Sequence, residues 1–205
     1  MKQKTFNLTV TAMLMAMLIV MTFTGIGYIP INPFLRLTLM TLPVAVGAVL
    51  CGPYTGLVLG ATFGLTSFSQ ALLGMDPMGV ALLQLGWKSA LFLLVVCLVP
   101  RILCGWLPAL LHRKLKKTNE TFSMALCCAL VAVINTVLFL TALWVFFAAE
   151  LQTNPDVIAA NGGAVTSLWV LFVAAYVNAL IELGLNVVLG TAIVKALNPV
   201  VKRLR

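Results

Sequence analysis

The chain has 205 residues, 62% of them hydrophobic and 9% charged, with a net charge of +8. A soluble domain carries about 25% charged residues, so this much apolar surface is solvated by lipid rather than hidden in a water-soluble core. The length allows one compact bundle and excludes an added soluble catalytic domain. The basic excess sits in short loops without interleaved aromatics, a topology signal rather than a nucleic-acid surface.

Lys2 and Lys4 precede an apolar run from Phe6 to about Ile26. That run is long enough for the roughly 30 Å hydrocarbon layer, longer than a signal h-region, and no small-residue cleavage site follows it. Tyr28-Ile-Pro-Ile-Asn-Pro-Phe-Leu-Arg36 forbids a regular helix and reads as an ordered connection. Residues 37–50 form a short helix of about 21 Å. Cys51-Gly52-Pro53 turns the chain into a third helix over 54–73, and Gly74-Met-Asp-Pro-Met-Gly79 is a loop.

Residues 80–115 are mostly apolar but hold Trp87, Lys88, Pro100 and Arg101. Charge decides that they cross once. A single crossing places ten of the thirteen Lys and Arg on one side (Lys2, Lys4, Arg113, Lys114, Lys116, Lys117, Lys195, Lys202, Arg203 and Arg205) and Asp76, Glu150 and Asp156 on the other. The stretch is too long for one simple helix and is expected to break near Pro100. Helices over 122–149 and 167–197 follow, separated by a polar loop containing Asn154-Pro155-Asp156 and Asn161-Gly162-Gly163. The expected fold is a single all-α membrane domain over 1–205 with six transmembrane helices, both termini in the cytoplasm.

Gly52, Gly56, Gly60 and Gly64 recur every four residues and predict a bare stripe for close helix packing. Ala12 and Ala16 form a second small-xxx-small pair on the first helix. The five cysteines have no CxxC spacing and lie in apolar stretches, where they serve as small apolar side chains. Neither a metal site nor a bound cofactor is expected. His112 lies in the basic loop, and no hydrolase, metalloprotease or nucleotide-binding motif is present, so no enzyme is expected.

Ionisable groups inside a span are costly and are functional candidates. Glu182 is the one carboxylate inside a predicted span, and Asn178, Glu182 and Asn186 share a face at i, i+4, i+8. Tyr176 lies near the outer end of that helix, and Asn135 sits in the fifth. Arg101, Lys88, Trp87, Gln84 and Asn32 complete the outer candidates. One reading makes these groups hydrogen-bonding ties between helices. The other gathers them around a pocket with apolar walls and a few placed polar groups, and their number favours the pocket. A stand-alone secondary transporter using Glu182 as an ion site is the alternative from another class; a membrane enzyme or scaffold has little support.

The sequence also resembles a known family along nearly its whole length. The matching stretches are Tyr28-Ile-Pro-Ile, Thr38-Leu-Met-Thr-Leu-Pro43, Gly47-Ala-Val-Leu-Cys-Gly-Pro-Tyr-Thr-Gly56, Phe63-Gly-Leu-Thr-Ser67 and Gly74-Met-Asp-Pro77. They continue with Val99-Pro-Arg-Ile-Leu103, Asn135-Thr-Val-Leu-Phe-Leu140 and Asn178-x-x-x-Glu182-x-x-x-Asn186. Their order and spacing resemble the substrate-binding (S) components of energy-coupling factor vitamin transporters. The resemblance implies a prokaryotic plasma-membrane protein of six helices that captures a vitamin outside. Its partners would be a transmembrane coupling protein and two cytoplasmic ATPases. Ala12 and Ala16 match the pair that docks onto the coupling protein in that family, and residues 28–36 and 74–79 match the loops that cover the pocket. Pantothenate-type and riboflavin-type members are the nearest in kind. Arg36, Lys88 and Arg101 near the outer half favour a carboxylate vitamin such as pantothenate, since guanidinium binds carboxylate bidentately. Riboflavin and other vitamins are the alternatives.

Overall fold

A computed structural model describes residues 3–32, 35–117 and 119–204, without the side chains of 30–36, 200 and 202–204. The side chains of Lys2, Asn32, Phe34, Arg36, Lys202, Arg203 and Arg205 therefore lie outside the described residues.

Helix α1 (Gln3–Phe23) buries Phe6, Thr11, Leu18 and Thr22, with Val10, Leu14, Met15 and Met21 half-buried beside them, and exposes much of its remaining surface. Gly25, at φ 76°, ends it in a left-handed turn that only glycine adopts easily. The proline-bearing connection that follows is a β-hairpin, β1 (Tyr28–Asn32) against β2 (Leu35–Thr38), with Tyr28 opposite Thr38. Its paired strands meet the backbone hydrogen-bonding demand that the prolines deny to a helix.

Helix α2 (Thr41–Cys51) is apolar on every side and buried from Thr41 to Leu50 except for Leu42. That pattern belongs to a core helix, and at about 16 Å it is shorter than a bilayer's hydrocarbon. Helix α3 (Pro53–Leu72) starts at a proline after Gly52, whose φ of 95° makes the turn. It bends by 73° into α4 (Pro77–Leu83). Asp76 caps α4, its carboxylate accepting from Gly79 N at 3.1 Å.

The expected break at Pro100 is not there. Helix α5 runs unbroken from Trp87 to Leu115, and the chain breaks instead before Gly86, at φ 117°. The reason is local. Proline at 100 donates no hydrogen bond to the carbonyl of Val96. The Arg101 side chain does: its Nη1 donates to Val96 O at 3.2 Å and Cys97 O at 3.1 Å.

The glycine stripe packs α3 on α5. A Cβ on Gly56 would run into the carbonyl of Gly105, and one on Gly60 into that of Arg101. At Gly64 it would lie 2.9 Å from Cys97 O. Gly52 does not belong to this stripe: it faces open space, and its place is the turn.

Helix α6 (Glu120–Thr153) kinks at Phe147 and leads into α7 (Pro155–Asn161), capped by Asn154. The last apolar stretch is one continuous helical span, Leu168–Pro199, as the sequence predicts, with a π-helical turn inside it. Helix α8 (Leu168–Leu185) passes through a π-helical turn (Asn186–Gly190) into α9 (Thr191–Leu204).

By length and composition, α1, α5, α6 and α8 with α9 are each able to cross a membrane, and α3 with α4 makes a fifth candidate if the bent pair is one span. The two ends of the bundle differ. At one, Thr11 Oγ1 meets Thr55 Oγ1 at 3.0 Å and Asn198 Nδ2 donates to Glu120 Oε1 at 2.9 Å, beside the basic turn at 113–117. At the other lie the hairpin, α4 and α7, where Gln70 Nε2 donates to Thr22 O at 3.1 Å. Asp76 and Asp156 are at this second end.

Candidate functional site

The second end encloses a cavity of about 300 Å³. The hairpin contributes Tyr28 and Thr38, α3 contributes Ser67 and Gln70, and the α3–α4 turn contributes Asp76 to Gly79. Leu93, Cys97 and Arg101 come from α5, Phe139, Leu140 and Leu143 from α6, and Asn161 from the end of α7. Helix α8 closes the ring with Leu171, Ala174, Ala175 and Asn178. The lining is mostly apolar with a few placed polar groups, the composition of a small-molecule site.

Arg101 is its electrostatic centre. The side chain is 6% exposed and its guanidinium carbon lies over two rings, 5.0 Å from the Phe63 centroid and 4.6 Å from that of Phe139. Nη1 is engaged by the two helix carbonyls, while Nε has no hydrogen-bond partner. The rings and carbonyls attract the cation, and the lining also holds one carboxylate, that of Asp76, which caps α4. Tyr28 faces the same space; burial pushes its phenol above the ordinary range, so it stays neutral and able both to donate and to accept.

Of the sequence-derived candidates, Arg101 and Asn178 line the cavity together. Glu182 and Asn186 are buried below it. Glu182 Oε1 accepts from Thr38 N at 2.7 Å and from Asn178 Nδ2 at 3.3 Å. Asn186 Nδ2 donates to Thr41 Oγ1 at 2.8 Å and to Glu182 O at 2.9 Å, a tie between helices. Asn135 is buried in α6 outside the lining, and its Oδ1 is unpartnered. Gln84, Trp87 and Lys88 are exposed around the break before α5 and do not line the cavity; the Lys88 ammonium lies 6.0 Å from the Trp87 ring. Tyr176 is 61% exposed and lines a separate apolar groove of about 500 Å³ between α6 and α8, with Trp169 and Phe172. These placements follow from helix phase: Tyr176 is two residues from Asn178, and so faces away from it.

Tyr28, Thr38, Ser67, Gln70, Phe139 and Asn161 were absent from the candidate set. Tyr28, Thr38, Ser67 and Phe139 all fall inside the family-like stretches, which is the signal that points to them. Among the described residues no group of three or more His, Cys, Asp and Glu side chains is gathered to hold a metal ion.

A bundle of membrane-length helices around an internal cup that holds a buried guanidinium defines a multi-pass membrane protein that binds a small polar molecule. The profile of the family "ECF transporter, substrate-specific component" matches residues 6–194, and the chain belongs to that family. It is a transporter component of the cell membrane. It is also similar to the Pantothenic acid transporter PanT of Lactococcus lactis subsp. cremoris (strain MG1363), at 29% identity over 205 residues covering 96% of this chain and 95% of the relative.

Proposed function

We propose that this protein captures pantothenate from outside the cell and delivers it inward as the binding component of an ATP-driven energy-coupling factor importer. The observation that carries the substrate is Arg101. Arg101 is buried against the cavity with its Nε unpartnered, and a carboxylate ligand would meet it with charge-assisted hydrogen bonds. Pantothenate has one carboxylate, two hydroxyls, an amide and a geminal dimethyl group. The cup offers Arg101 for the first, Tyr28, Ser67, Gln70, Asn161 and Asn178 for the polar groups, and Leu93, Leu140, Leu143 and Leu171 for the methyls. The name of the Lactococcus relative supports the same vitamin. Riboflavin fits less well. It needs flat aromatic faces, and Phe139 is already covered by the guanidinium.

In this reading the chain crosses six times, through α1, α2, α3, α5, α6 and α8 with α9, with both ends in the cytoplasm. Helix α2 is short, but the neighbouring helices sheathe it. Lys4, Arg113, Lys114, Lys116, Lys117 and Lys195, at the end opposite the cup, support an inside position for that end, and in this reading the cup opens outward. Energy comes from a transmembrane coupling protein and two cytoplasmic ATPases. The docking surface is α1, where Ala12 and Ala16 are exposed on the outside of the bundle.

The test is the ligand itself. Protein purified from a producing host should retain pantothenate, identified by mass spectrometry, and titration of the emptied protein should show pantothenate binding. Riboflavin binding with no pantothenate binding would overturn the substrate.

Two further outcomes are expected. Small residues let helix backbones approach closely, and overpacking such a contact costs about 1–3 kcal/mol. Ala16→Leu should therefore lower ATP-dependent uptake by about tenfold to a hundredfold and leave pantothenate affinity in detergent unchanged. Vesicle uptake beside calorimetry separates the two. Trp87→Ala and Gln84→Ala, at exposed positions off the cup, should change affinity by less than about 0.5 kcal/mol, read in the same calorimeter.

A further inference from the structure

Glu182 is 3% exposed and does not line the cup, yet it is hydrogen-bonded to two residues that do. One oxygen, Oε1, accepts the backbone N–H of Thr38 and the side-chain amide of Asn178. Thr38 ends β2 opposite Tyr28, so the hairpin wall of the cup hangs on this contact. Asn178 is one turn above Glu182 on α8, so the α8 wall hangs on it too.

Helix α8 packs on α6 through Leu168, Leu171, Phe172 and Ala175, toward its beginning. Of its 18 residues only Leu171 and Glu182 are buried. The hairpin reaches it through β2 rather than through a packed helix face. A buried carboxyl oxygen needs its donors, because losing one strands an acceptor away from water. Parting the hairpin from α8 therefore breaks a buried hydrogen bond at the floor of the cup, not merely a surface contact.

We propose that Glu182 is a positioning residue that clasps the hairpin to α8, setting Thr38 and Asn178 at their working separation and slowing escape of the bound molecule, without itself touching it. Asn186, four residues on, performs the different task of anchoring the helix to Thr41. The assignment of a vitamin to the cup comes from the proposed function; the clasp is a property of the empty protein as well.

The experiment has one readout with ligand and one without. In nanodiscs, amide exchange at Thr38 and the dissociation rate of pantothenate are measured for the wild type, Glu182→Ala, Glu182→Gln and Asn186→Ala, beside thermal unfolding. Glu182→Ala should speed both Thr38 exchange and koff by about tenfold or more, the order set by leaving a buried donor without its acceptor, with kon little changed. Glu182→Gln should restore most of both, because its amide oxygen still accepts from Thr38. Asn186→Ala should lower the unfolding temperature and leave koff near the wild-type value. Unchanged Thr38 exchange in Glu182→Ala would overturn the clasp. So would a Gln variant as impaired as the Ala variant, or a koff change in Asn186→Ala equal to that in Glu182→Ala. If the wild type binds no pantothenate, the vitamin assignment fails, and Thr38 exchange still decides the clasp.

Discussion

Arg101→Ala should weaken pantothenate binding by about 2–5 kcal/mol, the range for truncating one partner of a buried charge pair, equivalent to roughly thirtyfold to several thousandfold in Kd. The loss has two sources. The ligand carboxylate, desolvated against Phe63, Phe139 and the leucines, would have no cation. The Val96 carbonyl, deprived of a backbone donor by Pro100, would also lose the Nη1 that satisfies it. Arg101→Lys separates these sources. An ammonium supplies the charge but not the planar fork, so part of the affinity should return. Calorimetry on folded protein gives the answer, with the unfolding temperature as the check that α5 persists. Unchanged affinity in Arg101→Ala would remove it from the site and with it the reason for an anionic substrate.

Gly60→Leu should prevent folding, and Gly60→Ala should cost about 1–3 kcal/mol. The Cβ of any other residue at 60 points into the backbone carbonyl of Arg101, and backbone cannot rotate aside as a flexible side chain can. Helix α5 must then move away from α3, which shifts Arg101 as well, so binding should fall together with stability. Gly184→Ala on α8 is the matched control. Its Cβ meets nothing within 4 Å, so helix propensity alone acts, giving a gain of up to about 1 kcal/mol. Thermal unfolding and monodisperse yield of the three variants read the result; a Gly60→Ala protein as stable as the wild type would refute the tight contact.

Much of the site was legible because lipid makes polarity conspicuous. Arg101, Asn178, Glu182 and Asn186 stand out in apolar runs; Arg101, Glu182 and Asn186 are buried and Asn178 is half-buried. The same rule misled for Gln84, Trp87, Lys88 and Tyr176. At helix ends and on lipid-facing surfaces, polar and aromatic groups cost little and mark the membrane interface instead of a site. Pro100 misled in another way. Proline removes a hydrogen bond, but the next side chain repaired the loss, and that repair depends on a rotamer that no sequence pattern reports.

The sequence by itself determined the membrane class, the division of charge between the two ends, the small-residue stripe and the inventory of buried polar groups. These follow from local composition and the helix period, which one chain segment carries alone. Only the tertiary structure decided which groups meet. It put Arg101 and Asn178 on one cup with Tyr28, Thr38 and Ser67, took Glu182 out of the lining and joined it to the hairpin, and moved the break of the fourth segment from Pro100 to the turn before Gly86. Those outcomes depend on the relative rotation of helices far apart in sequence, fixed by backbone contacts such as Gly60 on Arg101, and helix rotation leaves no mark in the order of residues along any single helix.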